Sequence, residues 1–220
     1  VVVFFCLDMI TLSQNFALKG GYLKSEMEMD HIEDFDPYDG FQVGLKAEIP
    51  IYRFLFVQTG LYFSKKGYVT KNVSGDESLN NRMVYVDMPL KINGKVYLSE
   101  LIKLYAGGGM YAGYGADGYV YEYNADKSEY QEEVIRWGDN TSGDYPDHFT
   151  RFDYGLTYGG GIEIWNFQLG IDFYHGMANI LPDPDNFTIK QKKAFSVYLA
   201  FFLQNEVPVS KKKLLQGPID

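Results

Sequence analysis

Asp87 with Lys91, Asp153 with Glu163, and Asp172 are ionisable groups whose parity within their segments, VYVDMPLKI, FDYGLTYGGGIEI and FQLGIDFYH, places each set on one face of an extended chain. Lys46 and Glu48 have the same spacing in GLKAEIP. Carboxylates and amines collected on one enclosed face support either of two chemistries. One is a proton path or acid–base site. The other is a set of ion pairs that satisfies charge held away from water, where an unpaired charge is costly. The second is the favoured expectation: Asp87, Lys91, Asp153, Glu163 and Asp172 form an interior network, joined near the rims by Lys46 and Glu48.

Other candidates are weaker on their chemistry. The run DFDPYDG, from Asp34 to Gly40, clusters oxygens that suit a hard cation such as calcium. Pro37 interrupts it, and no Glu stands where an EF-hand loop needs one. A solvated loop is expected instead, with only weak divalent cation binding at the acidic loops. His175 ends an alternating segment, as does the catalytic His of the outer-membrane lipid A deacylases, which carry a Ser two residues later. Here that position is Met177. An imidazole with no neighbouring hydroxyl has no nucleophile to activate, and Ser196, inward on the last segment, is the one remaining partner. His31 and His148 lie in acidic stretches and are expected to be solvated. Cys6 is the only cysteine, so no internal disulfide can form, and bulky Phe5 before it argues against a lipid anchor. No His/Cys spacing suits zinc, and no glycine-rich phosphate loop precedes a helix. No catalytic residue, metal site or cofactor is assigned.

The elements that position these residues are strands. In FDYGLTYGGGIEI, Phe152, Tyr154, Leu156, Tyr158, Ile162 and Ile164 share one face, and Asp153, Gly155, Thr157, Gly159, Gly161 and Glu163 the other. The apolar face is longer and more aromatic than a soluble sheet needs. About thirteen residues at roughly 3.3 Å each, tilted by about 40°, cross a hydrocarbon core about 30 Å thick. Val84, Val86, Met88, Leu90 and Ile92 repeat the pattern, as do Phe167, Leu169, Ile171 and Phe173, and Leu55, Val57, Leu61 and Phe63. The alternation predicts about eight strands: Phe16 to about Glu26, Phe41 to Pro50, Phe54 to Lys65, Val84 to Ile92, Lys103 to Tyr114, Arg151 to Ile164, Phe167 to His175, and Ala194 to Leu203. Connections after the second, fourth and sixth are short, around Ile51 to Arg53, Asn93 to Ile102, and Trp165 to Asn166. The other connections are long and polar, with acidic stretches at Glu26 to Asp39 and Asp117 to Asp147. Short turns at one rim and long loops at the other predict an all-β fold: a single antiparallel transmembrane β-barrel with periplasmic turns and extracellular loops. Eight strands enclose a space about wide enough for side chains to fill, so no open channel is expected. Inward glycines would make room there for Tyr105, Tyr111 and Tyr174.

The whole composition agrees. Among 220 residues there are 19 Tyr, 16 Phe and 23 Gly. A mean hydropathy of −0.22 fits a barrel, in which only every second strand residue faces lipid. Net charge is −9, which argues against a nucleic-acid partner, since phosphates need a basic face. The opening VVVFFCLDMITLSQ reads as the remnant of a secretory signal over residues 1–14, cleaved after Ser13. The barrel then occupies residues 15–203 and a tail residues 204–220, with Lys211 to Lys213 in the tail.

Six blocks in order, GLKAEIP, QTGLYFSKKG, YVDMPLKI, YAGGGMYAGY, FDYGLTYGGGIEI and LGIDFYHGMANI, together resemble the PorT-like outer-membrane β-barrel family over most of residues 15 to 203. The resemblance implies a small barrel of the Gram-negative outer membrane, in contact with its lipid and lipopolysaccharide. The family's namesake serves a protein secretion and gliding apparatus, so an envelope or secretion-system protein is the implied partner. Fold-level likeness does not carry that role over. Three functions therefore stand side by side: a non-enzymatic structural or partner-binding barrel, an outer-membrane enzyme such as a lipid A deacylase, and a soluble lipocalin-like ligand-binding barrel. The last would turn the apolar face inward, and periodicity cannot say which face is which. Long-loop asymmetry and the signal favour lipid. The protein is expected to fractionate with outer membranes and to migrate differently on a detergent gel when left unheated, because a closed barrel has no edge at which to fray. Recovery as a soluble periplasmic monomer without a heat-dependent shift would contradict this.

Overall fold

Alternating side chains and scarce helix signals resolve, in the computed structural model, into nine strands: β1 (Asn15–Met29), β2 (Phe35–Tyr52), β3 (Leu55–Lys71), β4 (Glu77–Tyr97), β5 (Ile102–Asn124), β6 (Glu129–Val134), β7 (Phe152–Ile164), β8 (Phe167–Gly176) and β9 (Ile189–Phe202). The structure describes residues 15–29, 35–52, 54–71, 77–124, 129–138, 148–182 and 189–203. The expected signal remnant, the tail, His31 and Asp34 lie outside the described residues.

Strand order is β4-β3-β2-β1-β9-β8-β7-β5-β6, and β4 also pairs with β5. All pairings are antiparallel, so eight strands close into a barrel, as the alternation predicts. β6 is the ninth and pairs with β5 alone. The 23-residue β5 lies against β7 from Ile102 to Tyr114 and against β6 from Tyr119 to Asn124.

Strand length departs from expectation. Parts of the acidic stretches expected as loops are strand: β1 continues to Met29, β2 begins at Phe35, and within the Asp117 to Asp147 stretch β5 runs to Asn124 and β6 from Glu129 to Val134. Alternation marks a strand only where one face meets lipid. Beyond that band both faces are wet and the pattern fades, while the backbone ladder still continues to the next strand. The turn expected from Asn93 to Ile102 shrinks for the same reason, because β4 runs on to Tyr97. The turn at residues 165–166 holds Trp165 at φ 56°, and the Asn166 side chain donates to the Phe202 carbonyl at 3.2 Å, clipping the turn to the end of β9.

Facing is settled by the structure. Leu61, Phe63, Met88, Leu90, Ile92, Leu156, Tyr158, Leu169, Ile171 and Phe173 are on the outside, and Asp87, Lys91, Asp153, Glu163 and Asp172 are buried inside. Tyr52, Phe54, Tyr97, Trp165 and Phe167 ring the short-turn rim, and Tyr22, Phe41, Tyr114, Phe152 and Tyr154 form a second exposed group toward the other. An apolar band between aromatic girdles is the exterior of a barrel in lipid. The soluble alternative, with its apolar residues enclosed, is excluded. Ile171 lies four residues, roughly 10 Å, above the Phe167 girdle, near the middle of a band about 25 Å tall. Ile171→Arg is expected to cost about 2–4 kcal/mol and Tyr97→Arg, at the interface, about 0–1 kcal/mol, read from urea titrations of barrels folded into vesicles.

Candidate functional site

The barrel interior holds six buried lysines, Lys19, Lys46, Lys66, Lys91, Lys95 and Lys103, against five buried carboxylates, Glu48, Asp87, Asp153, Glu163 and Asp172. Each carboxylate reaches an ammonium group. Asp172 on β8 is held from two sides, by Lys19 at 2.8 Å and Lys91 at 2.5 Å. Lys66 lies 3.0 Å from Asp87 and 3.5 Å from Asp153, and Tyr111 donates to Asp153 at 3.1 Å. Toward the short-turn rim, Glu163 takes Lys95 at 2.8 Å and Lys103 at 2.7 Å. Glu48 pairs with Lys46 at 2.9 Å and also with Lys95. Asp87 and Lys91, on one strand face, thus serve different partners on other strands.

Aromatic faces complete the lysine environments. The Lys19 ammonium sits 3.9 Å from the Tyr198 ring centre and 4.6 Å from that of Tyr62, and Lys95 sits 4.5 Å from Phe56. Such contacts strengthen when desolvated. Tyr105 and Tyr198 share a 2.7 Å hydroxyl contact, and a Cβ on Gly161 would stand 2.6 Å from the Tyr105 hydroxyl. That glycine is required by close approach. Lys19, Lys66, Lys95 and Lys103 were missed by the sequence reading. Lys19 was detectable, since it shares inward parity with Leu23 on β1. Lys66 and Lys95 lie just past the expected strand ends, where alternation had faded.

Above this network the far mouth is closed by an apolar cluster. Met27, Tyr68, Met83 and Tyr85 point inward from the walls, and Ile135, Phe149, Ile180 and Ile189 pack onto them, with Trp137 at the edge. Tyr85 meets Trp137 edge-on at 5.7 Å. The stretch after β6 is tied down by Ile135 N–H to the Gly118 carbonyl at 2.9 Å and Gly138 N–H to the Phe149 carbonyl at 3.0 Å. The shift in the β4–β5 register, Val84 with Asp117 and then Tyr85 with Gly115, leaves Ala116 as an extra residue. The bulge turns both Gly115 and Gly118 inward. A Cβ on either would come within 2.6 Å of Trp137 or Ile135 respectively.

The remaining candidates are not brought together. His175 faces outward beside Leu156, whereas Ser196 is buried inside opposite Asp172, so the barrel wall separates imidazole from hydroxyl. His148, expected to be solvated, is half-buried: its ring nitrogens meet Arg136, one of them 2.8 Å from the guanidinium. Asp36 and Asp39 lie along extended β2 rather than in a cradle, and Asp39 accepts from the Tyr22 hydroxyl. Among the described residues no three His, Cys, Asp or Glu side chains gather as metal ligands. Beyond the mouth, the Tyr121 hydroxyl donates to Glu132 at 3.2 Å across the β5–β6 hairpin. Slight desolvation and that carboxylate raise its pKa above the usual phenol value.

The sequence pattern of the outer membrane protein beta-barrel domain matches residues 10–181. No curated protein matches. Among solved structures the chain is similar to Ail, the attachment invasion locus protein of Yersinia pestis, in complex with the heparin analogue sucrose octasulfate. Identity is 13%, with 87% of this chain and 100% of that one covered, at a TM-score of 0.42. It is also similar to the outer membrane protein OprG of Pseudomonas aeruginosa, at 10% identity, 87% and 97% coverage and TM-score 0.46. Neisserial surface protein A matches at 9% identity, 85% and 95% coverage and TM-score 0.46.

Because Asp172 is the counter-charge for two buried ammonium groups, Asp172→Asn is expected to destabilise the folded barrel by about 3–5 kcal/mol. Adding Lys19→Gln should recover part of that loss through their coupling. Urea midpoints followed by tryptophan fluorescence would measure both. An unchanged midpoint for Asp172→Asn would show that the network does not hold the fold.

Proposed function

This chain belongs to the outer membrane protein β-barrel domain family and resides in the outer membrane, and from that premise we propose that it is a non-enzymatic barrel whose projecting hairpin binds another component of the cell envelope. The observation that carries the reading is the β5–β6 hairpin. It runs past the end of the β5–β7 pairing, and among the described strands β6 has a single neighbour. An unpaired edge is a template for an added strand. Glu132, Glu133 and Val134 are exposed on it, with Glu132 accepting from Tyr121 and Glu133 paired to Arg136, so backbone hydrogen bonds to an extended segment supply the affinity. Long elements on a rigid frame commonly carry recognition.

The interior supports this reading from the other side. Ion pairs fill the lumen and an apolar cluster covers its mouth, which leaves no passage for a solute. The separation of His175 from Ser196 disfavours a deacylase. The finer assignment, a PorT-like barrel working with a protein secretion apparatus, rests on the six sequence blocks and on this projecting hairpin as its contact. Interior residues Asp87, Lys91, Asp153, Glu163 and Asp172 act in this reading as the structural support of the frame.

Since Gly118 and Ile135 are already hydrogen-bonded, residues 119–134 can be replaced by Asn-Gly, a pair suited to a tight hairpin turn. The variant is expected to keep its heat-dependent gel shift and to lose about tenfold or more of its capture of envelope proteins in pull-downs. Undiminished capture would overturn the proposal. His175→Ala should leave function intact, and loss of a measurable lipid A deacylation on that substitution would restore the enzyme reading.

A further inference from the structure

Charge inside the barrel does not balance. Over the whole lumen six buried lysines oppose five buried carboxylates, an excess of one positive charge. The surplus has a definite place. Toward the far mouth one lysine, Lys66, serves two carboxylates, Asp87 and Asp153, whereas below it five lysines, Lys19, Lys46, Lys91, Lys95 and Lys103, share three, Glu48, Glu163 and Asp172. Hydrogen bonding there shows the same surplus of donors. An ammonium group has three. Lys19 and Lys91 each direct one at Asp172, over 2.8 and 2.5 Å, and Lys46 meets Glu48 at 2.9 Å and the Gln168 amide oxygen. Gln58 accepts from Asn93 at 2.7 Å through its amide oxygen, and among the described residues its amide nitrogen and the Tyr62 hydroxyl are buried without a hydrogen-bond partner.

These donors come from neighbouring strands of the wall, β1 to β4, and they converge on one glycine. Lys46 stands opposite Gly60 in the β2–β3 register, and Lys91 stands opposite Gln58 in the β3–β4 register. The Tyr62 ring folds back over Gly60, where a Cβ would lie 2.7 Å from its hydroxyl, and the Lys19 ammonium is 4.6 Å from the centre of the same ring. We propose that Lys19, Lys46, Lys91, Gln58 and Tyr62 hold a small inorganic anion, a halide such as chloride, inside the barrel. A monoatomic anion accepts from several directions at once and supplies the missing negative charge. Water would take the hydrogen bonds but leave the charge unbalanced, which is costly away from solvent. A lysine without its proton would balance the charge but leave the Gln58 and Tyr62 donors unmatched.

The site belongs to the interior frame and not to the hairpin, so it stands or falls apart from partner capture. Crystals of the full-length barrel grown in sodium bromide, with anomalous diffraction at the bromine edge, would test it without any variant. One bromide among Lys19, Lys46 and Lys91 is expected. Stability gives a second reading: at equal ionic strength the urea midpoint should be higher in chloride than in gluconate, a bulky anion that does not fit among these side chains. Above saturation the unfolding constant should fall about tenfold for each tenfold rise in chloride, as for one ion bound to the folded state alone. Tyr62→Phe, which keeps the ring and removes the hydroxyl, should weaken chloride binding about tenfold and be no less stable than the wild type in gluconate. No bromide inside the barrel, equal midpoints in chloride and gluconate, or a chloride dependence unchanged in Tyr62→Phe would overturn the assignment.

Discussion

Pairing between β1 and β9 is the contact on which everything else depends. In hydrocarbon there is no water to satisfy a backbone N–H or carbonyl, so a sheet can cross only when its last strand returns to its first. The register from Ala17–Phe202 to Met29–Ile189 does this over almost the full length of both strands. Closure then fixes two environments. The outer surface must be apolar because lipid surrounds it, and the inner one must be satisfied by the chain's own side chains because little solvent reaches it.

Charge inside such an enclosure is tolerable only in mutual arrangement. Asp172 between Lys19 and Lys91, and Lys66 between Asp87 and Asp153, are triads in which each extra charge of one sign meets a bridge of the other. Tyrosine faces spread the remaining positive charge. Removing one member would strand another in low dielectric. The network thus locks the strands radially, across the barrel, where ladder hydrogen bonds act only around it. Apolar packing at the mouth adds a lid that keeps the network dry from the far side.

With the interior committed to stability, specific recognition is left to surfaces outside it. Two differ in kind. The β5–β6 hairpin offers a backbone edge with carboxylates in the aqueous phase, and the outer face around Tyr158 and Phe173 offers aromatic area at the lipid boundary, where Lys24 and Lys193 stand opposite Asp39 and Glu26. One suits an extended polypeptide and the other the surrounding lipid. The bulge at Ala116 links the first to the lid, since it redirects β5 so that Gly115 and Gly118 receive Trp137 and Ile135 beneath the hairpin.

Period-two alternation in the 220-residue sequence determined the eight wall strands and the shared parity of Asp87 with Lys91 and of Asp153 with Glu163, because lipid on one face imposes a pattern on every second residue. Gly161 was legible as a space-maker, though its partner Tyr105 on β5 was not assigned to it. Three things were decided only in three dimensions. Strand ends past the lipid band depend on a neighbour's length, so parts of the acidic stretches belong to β1, β2, β5 and β6. Ion partners depend on strand stagger around the closed barrel, so Lys91 meets Asp172 across 81 residues of sequence and not Asp87 on its own strand. Which face is enclosed was likewise decided by closure, which buries Asp172 and leaves Ile171 outside. Local alternation reports what surrounds a strand, whereas closure sets which distant residues become neighbours.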